Sequence, residues 1–382
     1  MPSNSSPAVT YAENSASVVE WLLPVTNYAL RETLASGQAF RWRELDGAWE
    51  GVIANRWVRL CANAAGTGIQ VQAMADPRNA DHRSPRSDSR SAEHPLGADQ
   101  DGHDSRRAGA RRSDSSKWAA PQNALLTPAL SPFVPQEERG QTSSAASENF
   151  PCASTNHDWL DHYLQTRIDL PKILATFPDD PPMRASLAAC PGLRLLRQEP
   201  WECLASFILS STKQIVQIQQ IVALLCERFG ARLEVPAGHA PVFGFPTAAV
   251  LAALNETALR DCKMGFRAPY LLGTARLVAD GTIDLARLAS LPVADARAEL
   301  LRFPGVGRKI ADCVLLFAYG FQDAFPVDVW VRKALQQLYF PRRRASEKRL
   351  AHFAATHFGP NAGYAQQYLF HYMRTRLGRA GQ

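Results

Sequence analysis

The sequence predicts an α+β protein: a small N-terminal antiparallel β-sheet domain packed on an all-α domain. Short aromatic- and β-branched-rich runs, "QAFRWREL", "AWEGVIA", "RWVRLCA" and "GIQVQAM", are separated by turn residues such as Asp46-Gly47 between about residues 28 and 75, the pattern of a meander. From Pro200 onward apolar residues recur at helical spacing almost without a break. Between these parts lies a long polar stretch that cannot bury enough surface to fold.

The elements follow in order. Residues 1–27 carry no clear pattern, and residues 28–75 with 158–198 are assigned to the sheet domain. The segment "DPRNADHRSPRSDSRSAEHPLGADQDGHDSRRAGARRSDSSKW" and its continuation mark residues 76–157 as a disordered, low-complexity insertion. It resembles the translated repeat elements inserted in some bacterial genes, which implies a passive insert; its arginines leave a nonspecific DNA tether as the alternative. Order resumes with "HDWLDHYLQTRIDLPKILATF", read as helix. Residues 199–378 form the helical domain. In "WECLASFILSS", Trp201, Leu204, Ala205, Ile208 and Leu209 share one helical stripe. "IVQIQQIVALLCERFG" repeats the pattern and stops at Gly230, Thr247 can cap "AAVLAALN", and "APYLLGTARLVADG" and "VADARAELLRF" complete the series.

Composition narrows the function. Among 382 residues, lysine and arginine outnumber aspartate and glutamate by 42 to 36, a net charge of +6; this suits a polyanionic partner or simply makes a solvated basic surface. No stretch approaches the ~20 apolar residues of a membrane span, and the N-terminus lacks the basic start of a secretory signal. A cytoplasmic protein without membrane attachment is expected. The seven cysteines are scattered without a CxxC pair, and His352 and His357 stand five apart, so no metal or other cofactor is predicted.

One short region concentrates chemistry. "FPGVG" joins two helices; Gly305, Val306 and Gly307 can turn backbone N–H groups toward a phosphate, or can make an ordinary tight helix–helix turn. Lys309 falls in the first turn of the next helix, where the dipole disfavours a cation and favours the neutral, nucleophilic amine. Cys313 and Phe317 follow at intervals of four and share its face, forming one wall of a pocket. Asp328 precedes "VWVRKALQQLYF" as a ready N-cap, and its carboxylate can equally serve as a general base or stabilise positive charge.

With these residues in view, the chain resembles the helix-hairpin-helix (HhH-GPD) DNA glycosylases, and within them the 8-oxoguanine DNA glycosylase/AP lyases. The resemblance runs through "SGQAFRWR", "RLLRQEPWECLASFILSS", "FRAPY", "FPGVGRKIADC", "FPVDV" and "FGPNAGYAQQYLF". It implies that the substrate is double-stranded DNA containing 8-oxoguanine, whose lesion base is flipped out before attack. Lys309 matches the nucleophile that attacks deoxyribose C1′, expels the base and leaves a Schiff base open to β-elimination. Asp328 matches the acid that assists it. Cys313 and Phe370 match the pair that sandwich the flipped base, Gly37 the glycine whose carbonyl accepts the lesion's N7–H, and Gln366 the reader of its Watson–Crick edge. The hairpin Gly305–Gly307, Phe266 in the wedge position and Arg267 in the cytosine-reading position complete the implied DNA contacts.

The chain departs from the family pattern in places. Thr212, Lys213 and Gln214 stand where an asparagine run is usual, Gln217 where an arginine is expected, and Trp330 where a phosphate-contacting histidine is usual. The first group falls on positions that fill the gap left by the flipped base and read the orphaned cytosine. No cysteine follows Cys313, so an iron–sulfur cluster is not expected; a monomer working in the bacterial cytoplasm, at the nucleoid, is. Two other readings compete: a monofunctional glycosylase for alkylated bases, which Lys309 argues against, and a noncatalytic DNA-binding module, which borohydride could not trap on DNA.

Overall fold

The computed structural model describes residues 18–75, 157–211, 213–342 and 344–379. The predicted insertion, apart from His157, and Thr212 lie outside the described residues.

Five antiparallel strands, β1 (Val18–Pro24), β2 (Arg43–Leu45), β3 (Ala48–Ile53), β4 (Arg56–Ala62) and β5 (Gly68–Met74), form one sheet in the order β1-β5-β4-β3-β2. The turn at Asp46-Gly47 joins β2 to β3, both residues adopting positive φ as a tight hairpin requires. Strand β1 falls within residues 1–27, where no pattern is predicted. Glu20, which interrupts its apolar run, sits on an exposed position and accepts a hydrogen bond from Gln72 of the neighbouring strand at 2.8 Å. The predicted first strand is much shorter than "QAFRWREL": residues before Arg43 leave the sheet and cross to the helical part.

Helices α1 (Leu30–Ala35) and α2 (Asp158–Leu164) cover the sheet; Leu34, Leu160 and Leu164 pack with Trp42, Val58, Leu60 and Val71 in one apolar core. The single helix expected after His157 is broken, because Gln165 turns left-handed at φ +56° and ends α2 before α3 (Leu170–Leu174). Next come α4 (Pro181–Ala189), α5 (Pro200–Leu209) and α6 (Ile215–Phe229). The remaining helices are α7 (Ala248–Ala252), α8 (Glu256–Leu259), α9 (Ala268–Ala279), α10 (Val293–Leu300), α11 (Arg308–Val314), α12 (Val329–Ala334), α13 (Glu347–His357) and α14 (Ala362–Arg379). Thr247 caps α7 by accepting from the Val250 N–H, as its position predicts.

Helix α5 is buried along its length and is the centre of the helical core. It packs against α6, α9 and α11. Its N-terminus is fixed by the Glu199 carboxylate, which accepts from the N–H groups of Trp201 and Glu202. Arg41 ties the crossing segment to this end through Glu202 at 3.2 Å, and it also donates to the Phe243 carbonyl. At the other end of α5, Phe207 and Ser210 line one cavity with Ser36 and Gly37 of the loop after α1, and the candidate site lies there.

Candidate active site

The hairpin residues Phe303–Val306 make a turn with Pro304 at its second position and Gly305, at φ +75°, at its third, the arrangement a type II turn requires. Val306 N–H donates to the Phe303 carbonyl at 3.1 Å, and the Val306 side chain is buried. That N–H therefore closes the turn instead of pointing outward, and Gly307 is extended at φ −96°, not left-handed. Helix α9 supports the turn: a Cβ on Gly305 would lie 2.7 Å from the Tyr270 ring, and one on Gly273 would lie 3.1 Å from Pro304. The close approach explains why glycine occupies both positions.

Beyond the hairpin, α11 continues into a wider π-type turn, Leu315–Tyr319, so one continuous face carries Lys309, Cys313 and Phe317. Asp312, on another face, is buried and paired with Arg297 at 2.6 Å, which anchors α11 to α10. Lys309 Nζ donates to the Ser210 hydroxyl at 3.2 Å, and that hydroxyl donates in turn to the Phe207 carbonyl at 2.7 Å. Nζ also lies 5.2 Å from the centre of the Phe207 ring, a cation–π arrangement. The amine is thus held at the end of α5 by an acceptor whose own proton is already committed.

Asp328 caps α12, with Oδ1 accepting from Val331 N–H at 2.7 Å. Burial pushes its carboxyl above the usual carboxylate range, opposed by the Val331 N–H bond and by the positive charge of Lys309. Burial likewise pushes the Cys313 thiol up to about 12, so this cysteine is a neutral, soft wall rather than a thiolate nucleophile.

These side chains line a cavity of about 390 Å³. Gly37, Lys213, Gln214, Gln366 and Phe370 line it together with Lys309, Cys313, Phe317 and Asp328. Gly37 has φ +76°, and a Cβ there would approach Ile215 to 2.8 Å. Its loop is pinned by Gln38, whose buried side chain donates to Arg194 O at 2.8 Å and accepts from Leu196 N–H at 2.9 Å. Gln367 of α14 donates to Ser36 O at 3.2 Å. Gln366 is only 3% exposed, and its Oε1 has no hydrogen-bond partner among the described residues, an acceptor left for a ligand to satisfy.

The other predicted contacts lie elsewhere. Phe266 is 55% exposed, so its ring is available to a partner, whereas Arg267 is 2% exposed and lies over the Phe266 ring at 4.3 Å. In this structure Arg267 is packed away from solvent rather than displayed. Gln214 begins α6, its N–H donating to the exposed Gln217 side chain at 3.1 Å, so Gln217 acts here as a helix cap. Sequence reasoning overlooked Ser210, Phe207 and Arg374, all of which line the cavity. No spacing rule relates the first two to Lys309, but Arg374 falls at i+8 from Gln366 on α14 and could have been found by extending that stripe.

Comparison with known proteins shows the family. Residues 21–204 match the family described as 8-oxoguanine DNA glycosylase, N-terminal domain, and residues 205–358 match the HhH-GPD superfamily base excision DNA repair proteins. A probable N-glycosylase/DNA lyase of Methanothermobacter thermautotrophicus is 32% identical over 220 residues, covering 52% of this chain and 69% of that protein. The chain belongs to this glycosylase family. The N-glycosylase/DNA lyase of Saccharomyces cerevisiae is 37% identical over 159 residues, which span 39% of this chain and 42% of the yeast protein. The solved structure of the Clostridium acetobutylicum 8-oxoguanine glycosylase/lyase in its apo-form superposes with a TM-score of 0.66 at 25% identity, covering 91% of this chain and 94% of that one. Within this HhH-GPD chain the hairpin, the α11 lysine and the α12 aspartate belong to the superfamily part, and the Gly37 loop belongs to the 8-oxoguanine glycosylase part.

Proposed function

We propose that the protein is a base-excision-repair enzyme that flips 8-oxoguanine out of duplex DNA, removes it through a lysine Schiff base and cleaves the resulting abasic site by β-elimination. The observation that carries this reading is the convergence of Lys309 and Asp328 on a cavity whose buried floor leaves the Gln366 carbonyl oxygen unsatisfied. The Watson–Crick edge of 8-oxoguanine offers N–H donors to that oxygen, and the loop of Gly37 can bring a backbone carbonyl to the lesion's N7–H.

The unprotonated Lys309 Nζ attacks C1′ as the C1′–N9 bond breaks and its electron pair leaves with the base. Asp328, ionised, stabilises the oxocarbenium charge that develops at C1′. Loss of a proton from the new C1′–N bond and opening of the sugar ring give the imine. Removal of a C2′ proton then expels the 3′ phosphate, breaking the strand. Cys313, held neutral, and Phe370 bracket the base by contact with its faces, while Phe266 enters the stack it vacates. None of these steps requires a metal, and with no cysteine after Cys313 the chain does not supply the cysteines of an iron–sulfur cluster there. Among the described residues no helix is long and apolar enough to cross a membrane. We place the enzyme, acting as a monomer, on the chromosome in the bacterial cytoplasm.

Borohydride trapping on duplexes carrying 8-oxoguanine opposite each of the four bases tests the proposal, with Lys309→Gln as control. Wild type should form a covalent adduct; Lys309→Gln should bind the lesion duplex but lose excision and trapping by roughly 1,000-fold or more, as for loss of a covalent catalyst. Retained excision by the variant would defeat the assignment.

A further inference from the structure

We infer that Arg374 forms an oxyanion subsite at the outer end of the lesion cavity and binds a backbone phosphate beside the flipped nucleotide. The inference rests on the reading that the cavity receives such a nucleotide.

Gln366, Phe370 and Arg374 follow one another at intervals of four on α14 and all line the cavity, so they form one stripe. Gln366 is buried whereas Phe370 and Arg374 are half-buried, so the stripe rises from floor to mouth. Eight residues along a helix advance roughly 12 Å, enough for a base and its sugar to lie between Gln366 and the guanidinium.

Arg374 Nη1 donates to the Ala35 carbonyl at 2.9 Å, which anchors the side chain beside the loop that carries Gly37. A guanidinium has five N–H donors, so one bond leaves most of its fork unused. Among the described residues no carboxylate pairs with it. Two other partly buried arginines do have such partners: Arg41 faces Glu202 and Arg297 faces Asp312. Burial pushes the Arg374 pKa down, so an anion beside the guanidinium would offset the cost of holding its charge there.

The formal negative charges of a nucleotide in DNA are its phosphates, and a guanidinium fork matches phosphate oxygens two at a time. Lys309 is held on Ser210 and Phe207, and Trp330, across the same cavity, offers an indole N–H but no charge. Lys213 also lines the cavity, but Arg374 is the cation whose planar fork is anchored beside the Gly37 loop and can engage two phosphate oxygens at once.

The test is a methylphosphonate scan. Each phosphate flanking the lesion is neutralised in turn in an 8-oxoguanine duplex made resistant to excision by a 2′-fluoro substituent, and Kd is measured for wild type, Arg374→Met and Arg374→Lys. Wild type should lose roughly ten- to a hundredfold in affinity at one phosphate, the range of a charge-assisted hydrogen bond. Arg374→Met should show the same loss on the unmodified duplex and little further loss at that phosphate, with a log K against log salt slope shallower by about one. Arg374→Lys should recover part of the affinity. A uniform weakening that leaves the phosphate pattern and the salt slope as in wild type would overturn the inference, as would an unchanged Kd with slower single-turnover excision on the duplex lacking the 2′-fluoro group, which would point to the departing base as the anion. Failure of the underlying function reads differently: wild type itself would not prefer the lesion duplex to an undamaged one.

Discussion

Replacing Gln366 by methionine should make the free protein more stable and the enzyme worse. The Gln366 Oε1 is buried without a partner, and an unsatisfied buried acceptor costs about 1–3 kcal/mol. Methionine has nearly the same length and volume and no acceptor to leave unpaired. A gain of about 1 kcal/mol is expected after some loss of packing, which for a protein of this size is roughly a 1–2 °C rise in Tm. With the lesion bound the sign reverses, because the N–H donors of the base then lose their acceptor. A loss of about 1–3 kcal/mol in transition-state binding corresponds to roughly a 5- to 150-fold fall in single-turnover excision of 8-oxoguanine. Cleavage of a preformed abasic site, where no base occupies the floor, should stay near the wild-type rate. Thermal unfolding together with single-turnover kinetics on the two substrates decides the matter. A variant that melts lower and loses both activities equally would show that Gln366 is a packing residue and refute the reasoning.

Two further predictions concern other cavity residues. Asp328→Asn keeps an N-cap acceptor for Val331 N–H, so stability should change by only a few tenths of a kcal/mol while excision falls by roughly 100-fold or more. Because burial raises the Asp328 pKa, the native state holds this proton where the unfolded chain has lost it, and this group's contribution to stability falls as pH rises between the ordinary aspartate value and the raised one. The ionised form is the active one, so the acid limb of the wild-type excision profile should lie above the usual carboxylate range and vanish in Asp328→Asn; an unchanged limb would assign it to another group. Gly37→Ala forces an L-residue to φ +76°, at about 1–2 kcal/mol, and the movable end of Ile215 must give way. Urea unfolding should show that cost, and activity on 8-oxoguanine should fall more than on an abasic site; equal losses would indicate misfolding alone.

The hairpin, Lys309 and Asp328 were legible because local sequence rules create them: a proline–glycine turn, a first-turn cation, an N-cap before an apolar helix. Helices α5 and α9 were legible from period alone. Strand β1 was not, since this edge strand exposes Val18 and Leu22 on the same face as Glu20, so hydrophobicity does not alternate with burial and Glu20 looks like an interruption. The break at Gln165 has no glycine or proline to announce it. Ser210 approaches Lys309 only because α5 and α11 pack, across 99 residues of sequence. The Val306 N–H could be assigned to a phosphate or to the turn from sequence; the Phe303 carbonyl decides for the turn.

The pinning of the Gly37 loop divides labour between two parts of the chain. The amine and the carboxylate come from the helical part, whereas the backbone carbonyl proposed to meet the lesion's N7–H belongs to a loop that Gln38 fastens to the Arg194–Leu196 stretch and Gln367 to α14. Helices α11 and α12 alone would therefore carry a reagent for any abasic sugar but no means of telling a damaged purine from a sound one. On the proposed function, discrimination is a property of the junction, and the buried Gln38 is what holds that junction together.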